Sequence, residues 1–389
     1  MDASGPKLLA SAGAPARNFW RSAKWCPDGQ SFLAQQEDSC ICLFQLPTFD
    51  DSAKRNIVEL ALHSTLRAPS PVTSYEWYPF ARAEDPATYC YARGVANSSV
   101  ELRDGTSGAL RASYSIVDHV ERFVSPHSLA FSPDGTRLYC GHSHAIDVFS
   151  LSSPGATSER VFTSPSKKSK EGQKGIISSL AFSPLSPSYL AAGSYSGSIG
   201  LYDCSSGLPE LAGCLKEGIA AGVSDVAFDP LRHWILYSTS RTTETVDVWD
   251  LRNPYDGPFA RLVRKGRTNQ RLGFSVEASG GGVAFGNKFG SVSIHPLPQP
   301  SLPLSTEAVE EEETVEFGAP QSWKAHGDAV GATAFHPSLP LLLTCSGSRH
   351  FDSPDGTYES ESEEGETARF TPRARDATIK IWDLGVKAT

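Results

Sequence analysis

The stretch LAFSPDGTRLYCGHSHAIDVFS, Leu129–Ser150, opens with an aromatic-bearing apolar run, breaks at a Pro-Asp-Gly turn and ends in the alternating run AIDVFS. Alternation of period two bounded by Pro, Gly and Asp is the pattern of a half-buried antiparallel strand. The opening element recurs as AKWCPDG (23–29), YEWYPF (75–80), LAFSPLS (180–186) and VAFDPLR (226–232), more weakly as LGFSVEASG (272–280), and again as TAFHPSLP (333–340). The closing element recurs as ICLF (41–44), SVELRD (99–104), SIGLYD (198–203), TVDVWD (245–250), SVSIHP (291–296) and TIKIWD (378–383). Seven copies of one unit predict that the whole chain, 1–389, is a single all-β, seven-bladed β-propeller of the WD40 kind.

The final unit carries the expected polar set: His326, Ser346, Asp376 and Trp382 fall in the order of a His-Ser-Asp-Trp hydrogen-bonded tetrad, a structural network rather than a catalytic one. Because TIKIWD lies close to the last residue, blade seven lacks its outer strand, and the apolar run LLASA at 8–12 is expected to supply it and close the ring.

Composition agrees with a globular body: 39% hydrophobic residues, with 27 prolines and 33 glycines for many turns. No apolar run has the length of a signal peptide or membrane span, so the chain reads as soluble and intracellular. The eight cysteines show no paired zinc spacing and read as buried thiols, so no metal or cofactor is expected. The net charge of -9 is misleading. Six acids lie in 305–317 and seven in 351–366; setting those thirteen aside leaves 31 acids against 35 bases, a mildly basic body. The two acid-rich runs are assigned to a linker at 300–322 between blades six and seven and to a loop at 348–375 inserted in blade seven.

The stretch RLVRKGRTNQR, Arg261–Arg271, holds five positive charges and no acid. Propeller geometry places it on one face, with the loops that enter each first strand and the turns between second and third strands. Phe19, Trp20, Arg21, Lys24, Arg122, His142, His144, Lys174, Tyr195, Arg241, Arg264, Lys265, Arg267, Asn269, Gln270, Arg271, Lys288 and Phe289 are placed around the same mouth. Cations neutralise phosphates, rings stack unpaired bases and amides read base edges, so the set suits a looped single-stranded RNA. A second reading takes the same cations for an acidic protein partner, the chain then being a protein-only scaffold in snRNP or spliceosome assembly. A third rests on Trp249, Asp250 and Arg252 in VDVWDLR, a Trp-Asp-x-Arg sequence of the form by which some propellers dock a ubiquitin-ligase adaptor. An enzyme is not expected: no nucleophile elbow, phosphate-binding glycine loop or zinc-protease motif occurs, and no small-molecule substrate is assigned.

NFWRSAKWCPDG, CICLFQLP, LRASYSIVDHVERFVSPHSLAFSPDGTRLYCG, GIISSLAFSP, GSYSGSIGLYD, VDVWDLRNP and TNQRLGFSVEASG occur in order between Asn18 and Pro296. In these motifs the chain resembles the telomerase Cajal body protein 1 family. The resemblance implies a nuclear, Cajal-body RNA-binding scaffold for small nuclear or small Cajal-body RNAs, in some members telomerase RNA, working with ribonucleoprotein proteins. It identifies no individual base-contacting residue.

Overall fold

The computed structural model describes residues 5–49, 56–166, 168–169, 171–297, 319–350 and 373–385; most of both acid-rich runs, and two lysines of the 164–174 segment, lie outside these. The described residues form seven sheets, antiparallel except for one short added strand, and no helix. Their innermost strands are Trp20–Trp25, Val72–Trp77, Ser128–Phe131, Ile177–Phe182, Val223–Phe228, Phe274–Val276 and Val330–Phe335, one for each repeated element, and even the weak sixth copy forms a short strand. The chain is a seven-bladed β-propeller of the WD40 class.

Each Pro-Asp-Gly turn closes the first two strands of its blade. In blade one Asp28 Oδ1 accepts from Gln30 N at 2.9 Å, Gly29 N donates to Cys26 O at 2.9 Å, and Gly29 takes the positive φ that only a residue without Cβ adopts cheaply. Apolar side chains then pack between neighbouring blades rather than within one: Trp20, Phe32 and Phe44 of blade one share a cluster with Leu343, Cys345 and Ile381 of blade seven. Several buried polar side chains on the inner strands are satisfied by the adjacent blade. Trp77 Nε1 donates to Lys24 O at 3.1 Å, Ser128 Oγ to Ile177 O at 2.9 Å and Thr333 Oγ1 to Ala284 O at 2.8 Å.

The ring closes as the sequence implied. Strand Lys7–Gly13 pairs antiparallel with Thr378–Asp383, Leu8 opposite Trp382 and Gly13 opposite Thr378. A fifth, parallel strand, Val58–Glu59, covers the edge this leaves, a device no periodic signal announced. Leu9, 4% exposed, is the closing wedge. Leu9→Ala should therefore lower unfolding free energy by about 2–3 kcal/mol in equilibrium denaturation, although it lies only nine residues from the start; an unchanged midpoint would mean that the strand does not close the ring.

Two expectations need correction. The boundary assigned at 300–322 between blades six and seven comes too early: Gln321–Lys324 pairs with Ser291–Pro296 as the outer strand of blade six, so blade seven begins after Lys324. Local composition cannot tell an interblade linker from a long connection inside a blade. The tetrad is also shifted, because Thr344 rather than Ser346 stands at its centre. Trp382 Nε1 donates to Thr344 Oγ1 at 2.9 Å, which lies 2.7 Å from His326 Nε2, while His326 Nδ1 lies 3.0 Å from Thr378 Oγ1 and Thr378 donates to Asp376 Oδ1 at 2.7 Å. Ser346 Oγ bonds backbone carbonyls of Asp376 and Thr378. These partners assign a neutral His326 protonated on Nδ1, consistent with burial lowering its pKa. Burial works to raise the Asp376 pKa, but the His326 ring, Gly327 N and Thr378 outweigh it and hold the carboxyl well below its usual range.

Candidate functional site

The inner strands surround a central channel of about 730 Å³. Arg21 sits at the start of blade one's inner strand, Tyr195 and Arg241 in the turns between second and third strands of blades four and five, and Asn269, Gln270 and Arg271 just before blade six; all six line the channel. Loops that are far apart in sequence meet here because the same point of every repeat is brought to the same face.

The Arg241 guanidinium carbon lies 4.1 Å from the Tyr195 ring centroid, a cation–π stack that orients both groups. Arg271 reaches Asp225 at 3.7 Å, and Arg21 reaches Glu37 at 3.4 Å. Arg349, which the sequence reading did not single out, pairs with the same Glu37 and brings a fourth guanidinium to the group. Partial burial and then the charges of Arg349, Arg271 and Arg241 lower the Arg21 pKa, so the four cations feel one another. Two carboxylates, Glu37 and Asp225, pair with these arginines among the described residues, leaving the mouth electropositive. His127, also lining the channel, is held below the usual histidine range by burial, with Arg241 and Arg271 adding to the effect, which favours its neutral form.

Gln270 Nε2 donates to Gly347 O at 2.8 Å, tying the loop before blade six to blade seven, and Asn269 is exposed. Deeper in, the channel is lined by internally paired groups: Lys24 with Glu76, Ser22 Oγ with Tyr75 Oη at 3.0 Å, and Ser179 Oγ with Asp225 at 2.9 Å. The open chemistry is therefore at the rim.

Several residues placed at the mouth from sequence belong elsewhere. Trp20 is 1% exposed and packs edge-on to Phe44 at 5.7 Å, while Phe19 is buried against Gly347, so neither can stack on a base. The strand begins with these rings turned between blades and only Arg21 turned out. His142 is buried with Nε2 2.8 Å from Asp147, which Arg160 also holds; it pins blade three and is not a rim residue. Lys174 is half-buried, and its carbonyl accepts from Ser194 and Ser196. Arg122 is exposed and reaches Asp118 at 3.4 Å.

Arg264 is the largest correction, being 4% exposed. Its guanidinium donates to Leu272 O at 3.1 Å and Ser240 O at 3.4 Å, with no carboxylate in ion-pair reach among the described residues. Burial pushes its pKa down to about 10, so it stays charged and adds positive potential from beneath the loop without offering a surface contact. Arg264→Ala should cost about 1–3 kcal/mol of stability, because the Leu272 carbonyl loses a buried guanidinium donor and Ser240 O keeps only Thr243 Oγ1; denaturation showing wild-type stability would return Arg264 to the surface set. Arg267, Lys265, Lys288 and Phe289 remain exposed, further out along blade six.

The Trp-Asp-x-Arg residues are internally engaged. Trp249 is buried, its Nε1 donating to Ser238 Oγ at 2.8 Å; Arg252 binds Asp250 through Nε at 3.0 Å and Nη2 at 2.6 Å and lies over the Trp234 ring. Nothing in that arrangement calls for an adaptor.

Residues 165–203 match the family model of the WD domain, G-beta repeat. The chain is 33% identical over 372 residues to telomerase Cajal body protein 1 of Bos taurus, covering 95% of this chain and 65% of that protein. It is 32% identical over 371 residues to the protein of the same name from Homo sapiens, covering 95% and 64%. Guanine nucleotide-binding protein negative regulator 1 of Schizosaccharomyces pombe is 29% identical over 282 residues, covering 70% and 69%. The chain thus spans slightly less than two thirds of the mammalian relatives it matches. With seven WD40-type blades and this similarity running along nearly all of its length, the chain belongs to the telomerase Cajal body protein 1 family.

Proposed function

We propose that this chain is an RNA-binding scaffold whose channel mouth takes the unpaired loop of a small nuclear guide RNA and supports assembly or localisation of the ribonucleoprotein in the nucleus. The observation that carries the reading is the convergence of Arg21, Arg241, Arg271 and Arg349 with Tyr195, Asn269 and Gln270 at one mouth. Guanidinium groups take phosphates in bidentate geometry, and the amides supply the base-edge hydrogen bonds that phosphate contacts lack. A duplex is a poor fit, since no helix is present among the described residues to enter a groove. The relatives' name, telomerase Cajal body protein 1, supports a Cajal-body setting and a ribonucleoprotein client, with telomerase RNA one candidate.

The test is to crosslink the protein to RNA in its own cells, purify it under denaturing conditions and sequence what is attached. Enrichment of small nuclear guide RNAs with reads centred on hairpin loops is the expected result. RNA at background levels would sink the reading and favour an acidic protein partner at the same mouth.

A further inference from the structure

Beyond the mouth, the positive surface continues outward in one direction. The turn Asn287–Gly290 joins the second and third strands of blade six and carries Lys288 and the 55%-exposed ring of Phe289. Lys288 Nζ donates to Arg267 O at 3.2 Å and lies 5.0 Å from the Phe289 centroid, and Lys324, at the end of the outer strand opposite Ser291, donates to Phe289 O. Arg267 is three residues beyond buried Arg264 and four before mouth residue Arg271. These contacts link Arg267, Lys288, Phe289 and Lys324 out to the outer strand of blade six, while the chain from Arg267 to Arg271 leads back to the channel, with exposed Lys265 beside them.

The turn is built to hold its ring out. Asn287 Oδ1 accepts from Phe289 N at 2.9 Å and Ser291 N at 3.0 Å, and Gly290 takes φ +86° where a Cβ would strike the backbone of His326 and Asp328. Charge is uncompensated as well: Glu244 reaches Arg267 only at 4.0 Å, and among the described residues no carboxylate is within ion-pair reach of Lys265, Lys288 or Lys324. The corresponding turns of blades one to five are Glu37–Ser39, Ala96–Ser99, Ser143–His144, Tyr195–Gly197 and Arg241–Glu244. Of these six turns only that of blade six joins a lysine to an exposed aromatic ring.

We propose that this blade-six ridge is a second RNA-contacting surface, along which unpaired RNA beyond the bases held at the mouth runs outward. Phe289 stacks one base, and Arg267, Lys288 and Lys324 follow the phosphates. The proposal rests on the RNA reading of the mouth and adds a direction to it. A fixed ring among cations suits a strand of any sequence, because every base offers a π face and every nucleotide a phosphate.

The experiment compares two mixed-sequence, fluorescein-labelled single-stranded RNAs of about five and about fifteen nucleotides, the range that single-strand sites span. Binding is measured by anisotropy to wild type, to a ridge variant (Lys288→Ala, Phe289→Ala, Lys324→Ala) and to a mouth variant (Arg241→Ala, Arg271→Ala). The ridge variant should bind the longer RNA on the order of tenfold more weakly, with a log–log salt slope shallower by about 1.4, and should bind the shorter RNA as wild type does. The mouth variant should weaken both. Unchanged affinity of the ridge variant for the longer RNA, with the mouth variant still defective, overturns the ridge and leaves the mouth reading standing. Failure of wild type to bind either RNA overturns both, whereas loss in the ridge variant of binding to a labelled glutamate-rich peptide but not to RNA overturns the ridge alone. Because all three side chains are on the surface, an unchanged thermal midpoint is the folding control.

Discussion

Trp382→Ala is expected to lower unfolding free energy by about 3–5 kcal/mol, the range for emptying a buried aromatic site. The ring lies 5.7 Å edge-on from Trp323 of blade six and shares its cluster with Ala284, Val292 and Ile294 of that blade and with Leu342 of its own, while Leu8 of the closing strand packs against it. Removal therefore loosens the seam where the two ends of the chain meet. Trp382→Phe keeps most of the area but leaves the Thr344 hydroxyl without one donor, a loss nearer 1 kcal/mol. Thr344→Ala should cost about 2–3 kcal/mol, since both Trp382 Nε1 and His326 Nε2 lose a buried partner. Ser346→Ala, whose hydroxyl makes only long bonds, 3.3 and 3.4 Å to the Asp376 and Thr378 carbonyls and 3.3 Å from Thr378 N, should cost about 1 kcal/mol or less. Urea denaturation of the four variants decides the matter. Equal losses from Thr344 and Ser346 would show that the tetrad has been drawn around the wrong hydroxyl.

The double variant Arg241→Ala, Arg271→Ala should reduce affinity for loop RNA on the order of a hundredfold, because each guanidinium removed takes a charge-assisted contact from the mouth. Its salt dependence should flatten by about 1.4 in log–log slope, two single-strand phosphates' worth. Stability should change little. Asp225, released by Arg271, still accepts from Ser179 at 2.9 Å, and Tyr195 loses only a cation–π partner worth about 1 kcal/mol or less at an exposed site. Filter binding across a salt series reads both quantities. Wild-type affinity in this variant would take the RNA away from the mouth and leave the convergence of arginines in search of an acidic protein ligand.

The correction at Arg264 bears on how such variants should be built. A quadruple alanine change across the 261–271 stretch would mix a buried structural cation with surface ones, and lost binding would then report lost structure. Separating Arg264 from Arg267 and Arg271 keeps the two effects apart.

The number of blades, the turn chemistry and the origin of the closing strand were determined by the sequence itself, because alternation of period two and the residues that tolerate tight turns are local properties repeated seven times. The tetrad was legible to within two positions: Thr344 and Ser346 are on the same strand and face, and only the register against His326 and Trp382 distinguishes them. The mouth was legible as a region but not as a residue set. Arg264 and Arg271 lie in one basic stretch, yet one is buried under the loop and the other lines the channel; Trp20 and Arg21 are adjacent, yet point to opposite surroundings. Arg349 enters only because blade seven returns beside blade one and places it against Glu37, 312 residues away in the chain. Whether a charge reaches solvent, and which others it meets there, depends on contacts between blades that are distant in sequence; ring closure creates those contacts, and no local pattern records them.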